Sequence, residues 1–247
     1  MKAIATEAVN VVTVEDPVEY VLPGITQTQV NEAAGMTFAA GLRSILRQDP
    51  DIIMIGEIRD SETAETAVRA ALTGHLVFTT LHTNDAVGAI PRLKDIGPDP
   101  GLISDALLGV VAQRLVRRVC PHCAEHHPLT SQDMAILGLS RQQVADGTPR
   151  RGRGCAQCFH SGFLGREAII ELLDVNCQVR QIIYEGSLTQ LNRYLQSLEY
   201  QSFRLAATEK VLAGLTTVEE VKRVLPASAL AHQHPRSDRQ EKVRRAS

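Results

Sequence analysis

Two short cysteine pairs, Cys120-Pro121-His122-Cys123 and Cys155-Ala156-Gln157-Cys158, constrain this chain more than any other feature. Residues 124–154 separate them. Two CxxC knuckles can surround one tetrahedral Zn²⁺ with four thiolates, a closed structural site that leaves no coordination position for a substrate. The competing reading of a CxxC pair is thiol redox chemistry. Paired cysteines of this kind fit a reducing compartment better than a disulfide lattice would. His122 is expected to be a spectator inside the first knuckle. Cys177, the fifth cysteine, is expected to be a small buried hydrophobe in the helical part of the chain.

The rest of the composition is that of a folded globular chain. A length of 247 residues suits one large or two small domains. With 26 basic and 28 acidic residues, the net charge of −2 provides no global field for coating nucleic acid. Aromatic residues make up 4% and Trp is absent, which disfavours a single-strand binder built on stacking platforms. No stretch reaches 18 consecutive apolar residues, so direct membrane insertion is not expected. Residues 1–7 have neither a basic leader nor an apolar core, so a signal peptide is not expected and the reading is cytoplasmic.

Residues 1–117 read as alternating short strands and helices, the pattern of an α/β layer with a parallel sheet. Asn10 to Asp16 is a β-branched run stopped by Pro17. Thr37 can cap a helix with Phe38, Leu42, Ile45 and Leu46 on one stripe, ending before Asp49-Pro50. Ile52 to Ile55 reads as a buried strand, Asp60 or Ser61 as the cap of a helix that stops at Gly74, and Leu76 to Thr80 as a third strand. A helix opening at Asp85 with a kink at Pro91, and another over Leu102 to Arg117, complete this part. Residues 118–168 form a second module around the cysteines, with the basic run Arg150-Arg151-Gly152-Arg153 read as solvated surface. Residues 169–225 read as a small helical subdomain with capping boxes at Ser187/Gln190 and Thr217/Glu220. Residues 226–247 are polar and aperiodic, and are expected to be disordered.

In open parallel sheets ligands bind outside the carboxyl ends of the strands. Those ends deliver Glu15 and Asp16, then Glu57, then His82, so proton-transfer or metal-binding groups converge on one edge. Asp51 precedes its strand and should lie far from Glu57. Gly56, lacking a side chain, is expected to let a phosphate or water approach Glu57, a carboxylate suited to polarising water or holding Mg²⁺. Arg43 and Arg47 fall one helical turn apart and face outward together; they read either as a solvated face or as guanidinium groups that reach phosphate. Arg59 adds a cation near the same edge. No GxxxxGK[ST] phosphate loop occurs in the sequence.

Four segments taken in order, Thr13-Val14-Glu15-Asp16-Pro17-Val18-Glu19-Tyr20, Leu42 to Asp51, Gly56-Glu57-Ile58-Arg59-Asp60, and Thr73-Gly74-His75 through His82-Thr83-Asn84, resemble the secretion ATPase family of type II secretion and type IV pilus assembly. The resemblance runs from about Asn10 to Leu225. It implies a RecA-like P-loop NTPase core, truncated on its N-terminal side, with an inserted tetracysteine zinc module and a small C-terminal helical subdomain. It also implies ATP with Mg²⁺ as substrate, a homo-hexameric cytoplasmic ring peripheral to the inner membrane, and inner-membrane secretion platform proteins as partners, with no nucleic acid.

The aspartate-box match assigns Glu15, Asp16 and Glu19 to the metal and water environment. The Walker B match makes Glu57 the catalytic carboxylate, and the histidine-box match places His75 and His82 beside the phosphates. Arg43, Arg47, Arg59 and Arg166 match arginines that serve nucleotide and intersubunit contacts. Cys120, Cys123, Cys155 and Cys158 match the family's zinc ligands, a module that retraction relatives generally lack. Family members carry a Walker A loop shortly upstream of the aspartate box, so the chain looks like a carboxyl-terminal portion. Turnover by this chain alone is therefore left open. The alternative is a non-catalytic, zinc-stabilised interaction module.

Overall fold

The computed structural model describes residues 1, 3–198 and 200–230; the expected tail beyond 230 lies outside them. In chain order the elements are β1 (Val11–Glu15), β2 (Thr26–Gln29), α1 (Phe38–Ile45), β3 (Ile52–Ile55), α2 (Ser61–Leu72), β4 (Leu76–Thr79), α3 (Ala89–Ile96) and α4 (Pro100–Ala106). Then come β5 (Gly109–Val119), β6 (Ala124–His126), α5 (Ser131–Leu137), α6 (Arg141–Ala145), β7 (Arg150–Gly152) and β8 (Phe163–Asp174). Helices α7 (Cys177–Glu185), α8 (Leu188–Gln196), α9 (Phe203–Leu212), α10 (Val218–Val224) and α11 (Ala227–Leu230) end the described chain. The chain divides into two compact units, the first of residues 1–83, 87–109 and 174–191, the second of residues 84–86, 110–173 and the remainder.

The first unit is built on a parallel sheet of order β2-β1-β3-β4. Parallel strands need helical crossovers, and α1 and α2 supply them between β1, β3 and β4. Thr37 Oγ1 accepts from the Ala40 N–H at 3.2 Å and Asp60 Oδ1 from the Thr63 N–H at 2.8 Å, so each crossover helix starts on a side-chain cap. The apolar stripes these caps set in register bury Leu42, Ile45, Ala64 and Ala67 against Val12, Val14, Ile53 and Ile55. Full burial of each large aliphatic contributes on the order of 1.5–3 kcal/mol. β4 is the sheet edge, and its Leu76 and Phe78 remain 38% and 42% exposed.

In the second unit β5 and β8 form a two-stranded sheet and β6 pairs antiparallel with β7. Val116 and Ile169 of the longer strands pack into one core with Phe203, Ala207, Val211 and Val221 from α9 and α10.

Several expected elements change. The helix read over Leu102 to Arg117 is α4 followed by the eleven-residue strand β5. Short apolar runs fit both periods, and Gly109 with the β-branched Val110, Val111 and Val116 favours the extended form. α1 ends at Ile45, one turn earlier than expected, so Arg47 follows the helix rather than extending it. Asp85 opens no helix: α3 begins at Ala89, and Pro91 sits in its first turn, where a missing N–H costs nothing and no kink is needed. β2 was not anticipated; its Thr26-Gln27-Thr28-Gln29 lacks apolar alternation. Cys177 is exposed rather than buried. At the start of the expected tail, Ala227–Leu230 is helical and Leu230 joins the second core.

Candidate functional site

Register places the first candidate site. Val14 lies opposite Ile55 and Ile55 opposite Thr79, so the residues leaving β1, β3 and β4 emerge side by side at the carboxyl edge of the sheet. Gly56 N–H donates to Val14 O at 2.8 Å and Thr80 Oγ1 to Gly56 O at 2.6 Å, tying the three exits together. Sequence reasoning missed Thr80, a hydroxyl one residue past the strand. Gly56 also serves packing: a Cβ there would meet the Phe38 ring at 3.3 Å and Val14 O at 3.3 Å.

Glu57 stands at the centre of this edge. Its side chain is 14% exposed; Oε1 accepts from Arg59 at 2.5 Å, and Oε2 lies 3.3 Å from His82 Nε2. The His82 approach is an ion-pair distance without hydrogen-bond geometry, so Oε2 is a buried oxygen with no hydrogen-bond partner among the described residues. Hydrogen bonding to Arg59 holds the Glu57 carboxyl below its usual range, with His82 adding to the effect against the opposing pull of burial. Glu57 is therefore an ionised carboxylate at neutral pH with one lone-pair edge unused, which fits a water or a water-bound Mg²⁺.

The other expected residues divide. Glu15 leaves β1 at the same edge, but its Oε1 accepts from Thr13 Oγ1 at 2.5 Å and Gln27 Nε2 at 2.9 Å, which turns it toward β2. Asp16 is exposed and acts electrostatically on Arg59. Glu19 is exposed. His75 precedes β4, with Nδ1 2.9 Å from Ala70 O, at the amino edge of the sheet. The strand between it and His82 spans about 13 Å at roughly 3.3 Å per residue, so the structure does not bring the two histidines together. Asp51 also lies at that amino edge, where Oδ2 accepts from the Asn10 N–H at 2.7 Å. Arg43 and Arg47 are both exposed, as expected, and Arg43 forms a surface ion pair with Glu62 of α2. Arg166 is exposed on β8 in the second unit.

The second candidate is the thiol cluster. The Sγ atoms of Cys120, Cys123, Cys155 and Cys158 all lie within 4.8 Å of one another. Individual separations are 3.9 Å for Cys120–Cys155, 3.9 Å for Cys123–Cys158 and 3.7 Å for Cys155–Cys158. A tetrahedron with Zn–S bonds of about 2.3 Å has edges of about 3.8 Å, so the four sulfurs fit one metal ion.

The backbone supports the charge this needs: Cys155 and Gly162 N–H groups donate to Cys158 Sγ at 3.2 and 3.3 Å. Burial opposes a thiolate there, yet these donors together with the Cys155 and Cys123 thiols pull Cys158 down to about 6, while burial pushes the neighbouring Cys123 up to about 12. Gly152 and Gly162 let the two knuckle segments cross, since a Cβ on Gly152 would fall 2.1 Å from Gly162 O. Three of the cysteines are buried, a closed arrangement suited to a structural role.

A protein-family model described as type II/IV secretion system protein matches residues 1–223. The chain belongs to that family. It is 51% identical over 216 residues to type II secretion system protein E of Klebsiella pneumoniae, covering 87% of this chain and 42% of that protein. It is also 51% identical over 222 residues to the type IV pilus assembly ATPase PilB of Thermus thermophilus, covering 90% of this chain and 25% of that one. The chain thus spans less than half the length of these relatives. Among solved structures, the pilus retraction motor PilT with bound ADP aligns with a TM-score of 0.61 at 32% identity, over 87% of this chain and 52% of PilT. The Legionella pneumophila ATPase DotB aligns with a TM-score of 0.61 at 25% identity, over 87% of this chain and 51% of DotB. The fold is accordingly the RecA-like α/β type of these ATPases, carrying a cysteine cluster able to hold a metal ion. Among the described residues no helix is long and apolar enough to cross a membrane.

Proposed function

We propose that this chain is the carboxyl-terminal portion of a cytoplasmic ATPase that works as a homo-hexameric ring and couples ATP hydrolysis to pseudopilus assembly in type II secretion. The observation that carries the reading is the buried Oε2 of an ionised Glu57, which accepts no hydrogen bond among the described residues, at the carboxyl edge of a parallel sheet in a chain of this family. Glu57 polarises the attacking water. Arg59 and His82 fix its carboxylate, and Arg59 keeps it deprotonated. Mg²⁺, when bound, supplies charge neutralisation at the phosphates, and Glu57 and Asp16 are the carboxylates placed to hold its waters. Glu15 and Glu19 belong to the metal and water environment with Asp16, His75 is assigned to the phosphates, and Arg43, Arg47 and Arg166 are assigned to nucleotide or intersubunit contacts made in the ring. The four cysteines hold structural Zn²⁺. Inner-membrane platform proteins are the partners, engaged through parts of the longer relatives outside the matched length.

The likeness to PilB supports type IV pilus assembly as a second reading of the same machinery. The deciding experiment measures ATP binding and Mg²⁺-dependent phosphate release by the purified chain and by Glu57→Gln. Turnover abolished by the substitution supports the ATPase reading. A folded, zinc-bearing chain that neither binds nor hydrolyses ATP is instead an interaction module.

A further inference from the structure

The thiol-bearing unit also contains an arginine arrangement that neither a metal site nor a packed core requires. Glu220 of α10 is buried, its side chain 0% exposed, and accepts five hydrogen bonds. Three come from Arg117: the backbone N–H at 2.9 Å, Nε at 3.0 Å and one terminal nitrogen at 2.7 Å. Two come from Arg223, Nε at 2.8 Å and one terminal nitrogen at 2.6 Å. One carboxylate thus clamps two guanidinium groups. The plane of Arg117 is held further by the Phe163 ring, 4.3 Å from its centre.

A guanidinium has five N–H donors and each arginine uses two on Glu220, so three on each remain without an acceptor among the described residues. Both side chains are about half exposed, at 47% and 57%. They line a cavity of about 390 Å³ together with Arg151, Ser161, Thr217 and Glu219. Arg151 is exposed. Glu220 is saturated by its own donors. Against it and Glu219 stand three arginines, which leaves one net positive charge on the cavity wall.

We propose that this cavity is a binding site for a small, soluble phosphate-bearing anion. Guanidinium planes fixed in advance lose little rotamer freedom on binding, and fork-shaped donors match a tetrahedral oxyanion with several acceptor oxygens. A tetrahedral anion offers more acceptor oxygens than a single carboxylate to the donors of three arginines that line one cavity. The volume exceeds that of a bare phosphate and leaves room for an attached group. Arg117 and Arg223 bind through the donors that Glu220 leaves free, and Arg151 closes the site. The site lies wholly within the second unit and involves none of the residues on the carboxylate edge.

The test is calorimetric titration of the full chain with pyrophosphate and, separately, with inorganic phosphate, in buffer free of Mg²⁺. One saturable site per chain is expected, tighter for pyrophosphate. Arg151→Glu should weaken it at least tenfold without shifting the melting temperature, and Arg223→Lys, which keeps the charge but loses the fork, should weaken it as well. Absence of saturable binding by folded, zinc-bearing protein overturns the site. So does binding that both substitutions leave unchanged.

Discussion

The carboxylate edge of the first unit and the thiol cluster of the second are built on opposite principles. Around Glu57 the groups arrive from separate strands, remain partly exposed, and leave one carboxylate oxygen without a hydrogen bond. Around Cys158 every sulfur has a sulfur neighbour at metal-ligand spacing, and backbone N–H groups already point at the charge. The edge is arranged to receive something that comes and goes. The cluster is arranged to hold something that stays. One protein can carry both because the first depends on the topology of a parallel sheet and the second on two local knuckles whose sulfurs meet.

Metal removal should break the comparison most severely. Structural zinc contributes roughly 10–16 kcal/mol of apparent binding free energy in small zinc-dependent folds, more than a typical domain's net stability. Elemental analysis should find one zinc per chain, and a strong chelator or Cys158→Ser should abolish the cooperative melt of the second unit, followed by circular dichroism. Protein prepared without chelator that carries no metal and melts normally would count against the assignment. Glu57→Gln should do the reverse. It removes the charge that polarises water and leaves the fold alone, so phosphate release should fall by about 10²–10⁴-fold while zinc content and melting temperature stay unchanged. Equal losses of activity and stability would mean that the edge is structural.

The two regions also differ in how readable they were from residues alone. The clustering of the four cysteines was legible, because a CxxC spacing specifies a local geometry and the two pairs needed only to be brought together. Glu57 and His82 were legible through a rule about strand ends, which works because parallel strands deliver their exits to one edge. The same rule separates His75 from His82, because β4 carries the chain from one edge of the sheet to the other between them, and the histidine-box match that grouped the two does not report this. The contacts of Phe38 with Gly56 and of Glu62 with Arg43 were not legible, because they come from helices that no local pattern connects. Glu220 was the larger miss. The pattern Thr217-x-x-Glu220 promised a capping box, and Thr217 does cap α10, but the carboxylate turns inward to two arginines, one of them distant in sequence.

That misread residue provides the next test. Removing a buried carboxylate from between two cations costs about 3 kcal/mol, at the lower end of the usual range because both arginines are partly in water. Glu220→Ala should lower the stability of the second unit by that amount without touching the carboxylate edge. The pH dependence has a defined sign. Despite desolvation by burial, the hydrogen bonds from Arg223 and Arg117 pull Glu220 down to about 2, below its unfolded value of about 4.3. Between those values the unfolded chain binds more protons, so stability rises with pH. The contribution is fully present above about pH 4.3 and is lost as pH falls toward 2. Glu220→Gln should flatten that acid limb in denaturant titrations; an unchanged slope would place the titrating group elsewhere.

Arg59→Ala is the mildest change and the most informative about the edge. The guanidinium is 62% exposed, so its pairing with Glu57 is screened by water and its loss should leave the melting temperature within error of the parent. Its effect belongs to protonation. Arg59 is the leading cause of the low Glu57 pKa, so its removal lets burial act unopposed except by His82, and the carboxyl should titrate at higher pH. The acidic limb of the pH–rate profile should move upward, with little change on the plateau where Glu57 is ionised in both proteins. A lowered plateau with an unmoved limb would make Arg59 a contact to the reacting group, and the edge would then hold two working residues where the geometry of the free chain shows one.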